Sequence, residues 1–232
     1  MLEILISRDK EERKMALLEN GKLIEYYIEE KSIRKEGNIY IGIVKDIIKG
    51  MQAAFVDIGT EKNSFIHLKD VLDKVDESKE NLNTKIDISS VIKVGQKLLV
   101  QVKKDSNLQK GARVSTHINL PSKYIALMPN TDIITVSQKI EDKKEQERLI
   151  KLVKENLSPE NGAIIRTSAA GKNQEIIEDI KNVEKRWKEI QSKYDNNKAS
   201  KPKLIAKANG IFEKMIIDLP EKSVQKITTN SK

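Results

Sequence analysis

The sequence of 232 residues contains no cysteine. Disulfide bonds and thiolate-bound zinc are therefore excluded within it. Histidine is nearly absent as well, because only His67 and His117 occur, and neither lies in a cluster with the spacing of metal ligands. We predict no metal site and regard both histidines as ordinary polar side chains.

Long apolar runs are also missing. No stretch approaches the length that spans a bilayer, and the opening Met1–Ser7 is interrupted by charge too early for a signal peptide. We therefore expect a cytoplasmic protein without a membrane partner. Hydrophobic residues make up 38% of the chain, enough to bury a core, and the length suits one large domain or two to three small ones. We expect more than one domain.

Basic residues outnumber acidic ones, 43 against 35, which gives a formal net charge of +8. A positive balance is the sign expected of a protein that meets a polyanion. Many of the lysines sit beside acids, however, so individual clusters fit a solvated helix face equally well. Neither a phosphate-binding P-loop nor a dinucleotide-binding glycine motif occurs.

The first half of the chain has the pattern of short strands. Leu2–Ser7 is rich in β-forming residues, and Asn20-Gly21 is a tight-turn signal that splits Lys14–Tyr27 into two strands. Alternating or apolar segments then recur at Asn38–Ile48, Met51–Asp57, Ser64–His67 and Lys97–Lys104. Strands at this spacing predict a small barrel. Asp73–Ser90 lacks periodicity, so we predict a loop there.

The second half is mixed. Strands are predicted at Arg113–Leu120, Lys123–Met128 and Gly162–Thr167, and a helix at Leu149–Leu157. The clearest helix carries apolar residues every three to four positions, at Ile176, Ile180, Val183, Trp187, Ile190 and Tyr194. We expect Trp187 to belong to the core. Asp195–Lys203 has the composition of a linker, and Leu204–Ile217 is helical or mixed and precedes a polar tail.

Two stretches of the first half carry a specific pattern: Gly37-Asn-Ile-Tyr-Ile-Gly-Ile-Val, and Ala53-Ala-Phe-Val-Asp-Ile-Gly with Ser64-Phe-Ile-His-Leu. Together they resemble the S1 domain of bacterial ribonucleases of the E/G family. Further motifs follow in the family's order: Lys110-Gly-Ala-Arg-Val-Ser-Thr, Leu127-Met-Pro-Asn, Gly162-Ala-Ile-Ile-Arg-Thr and Arg186-Trp-Lys-Glu-Ile. An S1 domain alone is shared by many RNA-binding proteins, but this succession is specific to the family.

The resemblance implies an α+β fold. An S1-type OB-fold β-barrel is inserted in a split RNase H-like subdomain and is followed by a mixed α/β region that senses the 5′ end of RNA. The expected boundaries are residues 1–32 for the first part of the RNase H-like subdomain, 33–116 for the S1 domain, 117–199 for the 5′-sensor region, and 200–232 for the incomplete second part of the RNase H-like subdomain.

In the family, a DNase I-like catalytic domain with magnesium-binding aspartates and a cysteine-bearing zinc link comes next. Nothing in this sequence matches that domain. We therefore expect the RNA-recognition part of such an enzyme, without a cofactor of its own and inactive alone. The expected partner is single-stranded RNA, preferably with a 5′-monophosphate. As a fragment the chain should be a monomer or associate weakly, and the full-length protein should be a homo-oligomer.

Phe55 and Phe65 are the candidate base-stacking residues. From the residues alone, a phenylalanine in an Ala-Ala-Phe-Val run also fits a barrel core. The resemblance instead assigns both rings to RNA stacking, which contributes roughly 1–3 kcal/mol per base. It also places Lys104 and Lys110 at the edge of the same surface, where they would pair with phosphates.

Arg166 is the candidate phosphate ligand, because a guanidinium can bind two phosphate oxygens in one plane. Thr167 adds a hydroxyl beside it. A structural ion pair would explain an arginine at the end of an apolar strand equally well. The resemblance favours binding of a 5′-phosphate and places Ser122 and Ala126 at companion positions of the pocket, where Ser122 could donate its hydroxyl.

No convincing set of catalytic residues emerges. Metal-assisted cleavage of RNA needs grouped carboxylates. Asp57 and Glu61 are expected on the S1 surface, and Glu175, Glu178 and Asp179 along a solvated helix face. Two alternatives stay open: a stand-alone RNA-binding or regulatory module, and a chain with its own metal-dependent nuclease activity.

Overall fold

The structure is a computed structural model that describes residues 2–8, 12–30, 35–71, 86–107, 109–198, 201–219 and 224–230. The chain divides into two compact units. The first combines Met1–Arg34 with Asn209–Lys232, and the second is Lys35–Ala208. The first unit is thus discontinuous in sequence. Within the described ranges, no helix combines the length and the apolar character that crossing a bilayer requires.

In the residues that the structure describes, the first unit is a four-stranded sheet with one helix. Its strands are β1 (Leu2–Arg8), β2 (Glu12–Glu19), β3 (Lys22–Glu30) and β14 (Val224–Thr229), in the order β14-β1-β2-β3, and its helix is α4 (Ile211–Asp218). Ile4, Met15 and Leu17 on one face of the sheet form a core with Phe212 and Met215 of the helix. The predicted polar tail contains a strand, because Val224–Thr229 pairs in parallel with β1 while most of its side chains stay exposed.

The second unit begins with a closed barrel of five strands, which confirms the small barrel predicted from the strand spacing. The strands are β4 (Ile39–Ile48), β5 (Ala53–Asp57), β6 (Ser64–His67), β7 (Lys97–Lys104) and β8 (Arg113–Ser115). They pair in the order β4-β5-β6-β8-β7, and β7 closes the barrel on β4. Short 3₁₀ turns follow β4 and β6, at Lys49–Met51 and Leu68–Asp70.

A short helix that the sequence did not predict packs its apolar side chains into the barrel interior. Residues 72–85 of the expected loop lie outside the described part, but Ile88–Val91 forms α1. The Asp87 side chain caps this helix by accepting a hydrogen bond from the Ser89 N–H at 2.8 Å. Ile88 and Ile92 are fully buried among the apolar side chains of the barrel interior. The loop prediction is therefore wrong over its last three residues, because burial of Ile88 stabilises one capped helical turn.

A second sheet packs beside the barrel in the same unit. Its strands are β9 (Leu120–Pro121), β10 (Ile125–Pro129), β11 (Ile134–Val136) and β12 (Asn161–Ile165), in the order β11-β12-β10-β9. Two helices cover it, α2 (Lys143–Asn156) and α3 (Gln174–Asp195). Helix α2 begins six residues before the predicted Leu149, because the Asp142 carboxylate caps it by accepting from the Lys144 N–H at 2.9 Å.

Helix α3 confirms the predicted apolar stripe. Ile176, Ile180, Val183, Trp187 and Ile190 are all at most 4% exposed. They share one core with both the second sheet and three side chains of β4, Ile39, Ile41 and Ile43. Strand β4 therefore packs on two sides: alternate residues such as Tyr40 and Val44 face the barrel interior, and the others face the second sheet. This shared core joins the barrel and the second sheet.

The end of α3 is bonded directly to the barrel. The Lys97 ammonium lies 4.4 Å from the centroid of the Tyr194 ring and donates to the carbonyl oxygens of Tyr194, at 3.3 Å, and Asn197, at 3.1 Å. The Tyr194 hydroxyl donates back to the Lys97 carbonyl at 3.1 Å. A cation at the C-terminus of a helix also complements the helix dipole. Strand β13 (Lys203–Ala206) then pairs with the first residues of β4, within what the sequence suggested was helical or mixed.

Candidate functional site

The outer surface of the barrel carries the predicted aromatic residues. Phe55 and Phe65 lie directly opposite each other on β5 and β6, with ring centroids 6.5 Å apart and planes at 70°. Their neighbours Ala54, Val56 and Ile66 are the ones buried in the barrel interior, and both phenylalanines are only half-buried. Strand alternation explains this, because successive side chains point to opposite faces. The rings therefore lie outside the barrel core.

The strand register extends this pair into a row across four strands. Phe65 is the partner of Arg113 on β8, and Arg113 is in turn the partner of Lys104 on β7. A shift of register between Val102 and Lys104 brings Lys104 to this position. The row Phe55, Phe65, Arg113 and Lys104 therefore places two aromatic rings beside two cationic groups. We call it the barrel row.

Arg113 is the residue of the barrel row that the sequence did not single out. Its Nε and Nη2 donate to the two carboxylate oxygens of Asp70, both at 3.0 Å, in a bidentate ion pair. Asp70 is 8% exposed, whereas the Arg113 side chain is 47% exposed. The buried carboxylate therefore holds an arginine whose outer part faces solvent.

The segment that carries Asp70 is itself fixed. The Asp70 carbonyl accepts hydrogen bonds from the Ser115 hydroxyl at 3.1 Å and from the Thr116 N–H at 2.9 Å. The turn after β6 is thus joined to the residues that end β8. Sequence reasoning had one signal for Arg113, its place in the motif Lys110-Gly-Ala-Arg-Val-Ser-Thr, but no signal for its pairing with Asp70.

Lys110 lies in the loop between β7 and β8 and is exposed. Asn107 organises this loop, because its side-chain oxygen accepts from the Lys110 N–H at 2.7 Å and from the Gln109 N–H at 2.9 Å. Lys103 differs from its neighbour Lys104. Its ammonium donates to Gln101 at 2.8 Å, and burial lowers its pKa. Lys104, within the barrel row, and Lys110, in the loop after β7, are both exposed.

The structure brings most of the predicted phosphate-binding residues together at one end of the second sheet. The Arg166 guanidinium donates from Nη1 to the Ser122 carbonyl at 2.9 Å. Thr167 is exposed, and its hydroxyl lies 3.2 Å from the hydroxyl of Ser137. Ala126 lies within β10, paired with Pro121 on β9 and Ile164 on β12. We call the group Arg166, Thr167, Ser122 and Ser137 the Arg166 pocket.

The hydroxyl of Ser122 has a different partner from the expected one. It donates to the carboxylate of Asp179 at 2.5 Å. Asp179 is 8% exposed, so its predicted place on a solvated helix face is wrong. The neighbouring Glu175 is half-buried and pairs with Lys172 at 3.2 Å, and Glu178 is exposed. Asp179 differs because it lies on the side of α3 that meets β10.

Acidic residues and histidines give no metal site in the part of the chain that the structure describes, where no three such side chains are grouped to hold an ion. Asp57 accepts from the Gly59 N–H at 2.8 Å and pairs with Lys45 at 3.3 Å. The Nδ1 atom of His67 accepts from the Lys69 N–H at 3.3 Å. These two side chains are engaged in local contacts.

Comparison with known proteins finds two family models that match parts of this chain. Residues 34–116 match the model of the S1 RNA binding domain, and residues 119–232 match that of the Ribonuclease E/G family. Ribonuclease G of Escherichia coli (strain K12) is 39% identical over 196 residues, which cover 82% of this chain and 40% of that protein. Ribonuclease E of Nostoc sp. is 33% identical over 197 residues, covering 84% and 28%.

A Ribonuclease E/G-like protein of Porphyra purpurea is 36% identical over 198 residues, covering 84% of this chain and 37% of that protein. The chain thus spans 40% or less of the length of these three relatives. The similarity therefore covers most of this chain but less than half of each relative.

Proposed function

This chain belongs to the ribonuclease E/G family, and from that membership we propose that it holds single-stranded RNA on the barrel row and binds the 5′-monophosphate of the same RNA in the Arg166 pocket. The observation that carries the proposal is the register Phe55–Phe65–Arg113–Lys104 across four neighbouring strands. Aromatic faces stack on bases of any sequence, and cations beside them pair with the phosphates between those bases.

Arg166 would bind the terminal phosphate. Its main chain is fixed by a hydrogen bond from its N–H to the Tyr124 carbonyl at 2.8 Å, and its side chain by the Ser122 carbonyl. A guanidinium fixed in this way loses little conformational freedom when an anion binds. The exposed hydroxyl of Thr167 next to it is a second donor for phosphate oxygens.

The test compares two RNAs that differ only at the 5′ end, one with a monophosphate and one with a hydroxyl. Each carries a fluorophore at the 3′ end, and binding is followed by fluorescence anisotropy. The wild-type protein should prefer the monophosphate, and Arg166→Ala should abolish that preference by lowering affinity for the monophosphorylated RNA alone. The matched control is Arg186→Ala. Arg186 lies in the second half of α3, and its side chain donates to the Lys207 carbonyl. Equal preference in wild type and Arg166→Ala would refute the phosphate pocket.

For a protein in which a catalytic domain accompanies this chain, the proposed role is RNA processing and decay by a magnesium-dependent endoribonuclease, in which this chain supplies recognition. We assign no catalytic residue within it. Incubation of the chain with labelled, monophosphorylated RNA and Mg²⁺ tests this division. Cleavage that survives repurification and disappears with EDTA would establish the competing hypothesis, a nuclease activity of the chain itself.

The discontinuous first unit is the proposed RNase H-like subdomain. Its four-stranded sheet, which combines one parallel pair with antiparallel ones, and its helix on one face support this assignment. We further propose that the chain by itself is a monomer or associates weakly, and that the full-length protein is a cytoplasmic homo-oligomer. Light scattering of the chain over a range of concentrations tests the first of these statements.

A further inference from the structure

The turn between β9 and β10 is held by a single carboxylate. One oxygen of Asp179 accepts from the Ser122 hydroxyl at 2.5 Å. The other accepts from the backbone N–H groups of Tyr124, at 2.9 Å, and Ile125, at 3.3 Å. The turn closes on itself through a hydrogen bond from the Ser122 N–H to the Ile125 carbonyl at 2.8 Å. Asp179 therefore bonds to the turn at Ser122, Tyr124 and Ile125.

The opposite side of the same turn is bonded to the segment after β12. The Arg166 N–H donates to the Tyr124 carbonyl at 2.8 Å, and the Arg166 side chain to the Ser122 carbonyl at 2.9 Å. The Ser168 hydroxyl donates to the Lys123 carbonyl at 2.5 Å. The Ser122 hydroxyl and the N–H groups of Tyr124 and Ile125 thus point to Asp179. The carbonyl oxygens of Ser122, Lys123 and Tyr124 point to Arg166 and Ser168.

The burial of Asp179 makes these bonds costly to lose. Desolvation raises the pKa of its carboxyl, while the hydrogen bonds from the turn and the positive charge of Arg166 act in the opposite direction. A buried carboxylate persists only where such donors compensate for the lost water. The carboxylate and the turn therefore fix each other.

We infer that Asp179 is a positioning residue for the Arg166 pocket: its two oxygens set the turn whose Ser122 carbonyl orients the Arg166 guanidinium. The inference rests on the proposed function, because it assigns a cause to the 5′-phosphate preference. Asp179 is 8% exposed, so we assign it no direct contact with the phosphate. It acts on the ligand through the turn and Arg166.

Helix α3 provides a matched control for this role. Glu184, five residues further along α3, also accepts hydrogen bonds from a turn, from the Ser158 N–H at 2.9 Å and from the Asn161 side chain at 3.1 Å. Asn161 begins β12, whereas Arg166 follows the end of that strand. Glu184 thus joins α3 to the sheet in the same way as Asp179, but at the opposite end from the pocket.

The experiment measures the ratio of affinities for the 5′-monophosphate and 5′-hydroxyl RNAs by anisotropy, together with thermal unfolding, in a set of variants. Asp179→Ala should lower the ratio by about tenfold, or down to the ratio of Arg166→Ala if that variant loses less than tenfold. The affinity for 5′-hydroxyl RNA should stay unchanged. Asp179→Asn should retain the ratio, because an amide oxygen can accept from the two N–H groups while the amide nitrogen donates to Ser122. Glu184→Ala should lower the unfolding temperature but not the ratio.

A double variant identifies the route of the effect. If Asp179 acts through Arg166, then Asp179→Ala changes nothing further in an Arg166→Ala background. Should Asp179→Ala fail to fold, Asp179→Glu replaces it, because it keeps the charge but displaces both oxygens by one methylene. It too should lower the ratio.

Several results would overturn the inference. These are a wild-type ratio in both Asp179→Ala and Asp179→Glu, an equal fall of the ratio in Glu184→Ala, or a loss in Asp179→Asn as large as in Asp179→Ala. In each case Arg166→Ala still reports on the pocket itself, so the proposed function survives. If the wild-type protein shows no preference at all, the proposed function fails and the inference fails with it.

Discussion

The rings of Phe55 and Phe65 meet edge to face across two neighbouring strands, with their centroids 6.5 Å apart. Each ring therefore supports the other on the outside of the barrel, beside Arg113. An edge-to-face pair is favourable in itself and keeps both rings from turning freely. This pair is the surface on which we propose that a base stacks.

Removing either ring should weaken RNA binding. Phe55→Ala and Phe65→Ala are each expected to lower affinity for 5′-hydroxyl RNA by roughly 1–3 kcal/mol, the range for loss of one stacked base. The double variant should lose less than the sum, because each single change also removes the support of the remaining ring. Anisotropy titrations measure this, with Tyr26→Ala, an exposed aromatic residue of the first unit, as the control. Unchanged affinity in both single variants would contradict the stacking role.

Lys104 in the barrel row and Lys110 in the loop after β7 should contribute to RNA affinity through contacts with phosphates. Lys104→Ala and Lys110→Ala are each expected to reduce the slope of log affinity against log salt by about 0.7, the value for one phosphate contact on a single strand. Lys154→Ala on α2 is the control, since this lysine is exposed but distant in sequence from the barrel strands. A slope that stays constant in the two barrel variants would show that neither ammonium contacts RNA.

The ion pair of Arg113 and Asp70 should matter for stability as well as binding. Arg113→Ala leaves the buried Asp70 carboxylate without its bidentate partner, so we expect a loss of about 1–3 kcal/mol in the free energy of unfolding. Adding Asp70→Asn removes the uncompensated charge and should restore part of this loss. Urea denaturation of the single and double variants tests it. A double variant less stable than Arg113→Ala would argue against the pairing as described.

The loss of folding stability at acid pH should depend on Glu145. The Arg148 side chain, and then the Gly171 N–H, hold the pKa of this carboxyl at about 2, below its ordinary value of 4.5. A carboxyl whose pKa is lower in the folded state stabilises the fold above its ordinary value, and that contribution is lost as pH falls from 4.5 towards 2. Glu145→Gln should therefore be less stable than wild type near neutral pH. The difference between their free energies of unfolding should become smaller as pH falls from 4.5 towards 2.

The matched control for acid unfolding is Glu155→Gln. Glu155 lies on the same helix, but its side chain is 59% exposed, and the ammonium of Lys151 is 3.9 Å away. Exposed pairs of this kind contribute little. Equal behaviour of the two glutamine variants in chemical unfolding at pH 7 and at acid pH would refute the role assigned to Glu145.

Gly111 should be intolerant of a side chain. A Cβ atom there would meet the backbone carbonyl oxygen of Asn63 at 1.9 Å, next to the hydrogen bond from the Phe65 N–H to the Ala112 carbonyl. Gly111→Ala should therefore separate β6 from β8 and lower the free energy of unfolding by about 2 kcal/mol or more. Gly50→Ala is the control, because a Cβ there meets nothing within 4 Å. Similar unfolding temperatures for the two variants would contradict the close approach.

Local patterns in the sequence were sufficient to predict the helices and strands whose apolar residues recur at a regular spacing. The apolar stripe of α3 predicted a helix whose buried residues are the observed ones, and alternation in β4 to β7 predicted barrel strands. Both signals arise from residues only two to four positions apart, which sequence order alone specifies. Prediction failed where an element depends on a distant partner: β14 needs β1, and α1 needs the barrel interior.

The candidate site shows the same division. The sequence by itself determined the family, the aromatic and basic residue types at Phe55, Phe65, Lys104 and Lys110, and the presence of Arg166 at the end of a strand. Only the tertiary structure revealed that Arg113 completes the barrel row and that Asp179 is buried against the turn of Ser122. Those pairs are separated by 43 residues, from Asp70 to Arg113, and 57 residues, from Ser122 to Asp179. Strand register and helix packing bring the members of each pair together. A buried charge is compensated only by groups that lie close to it in space, whatever their separation in the chain.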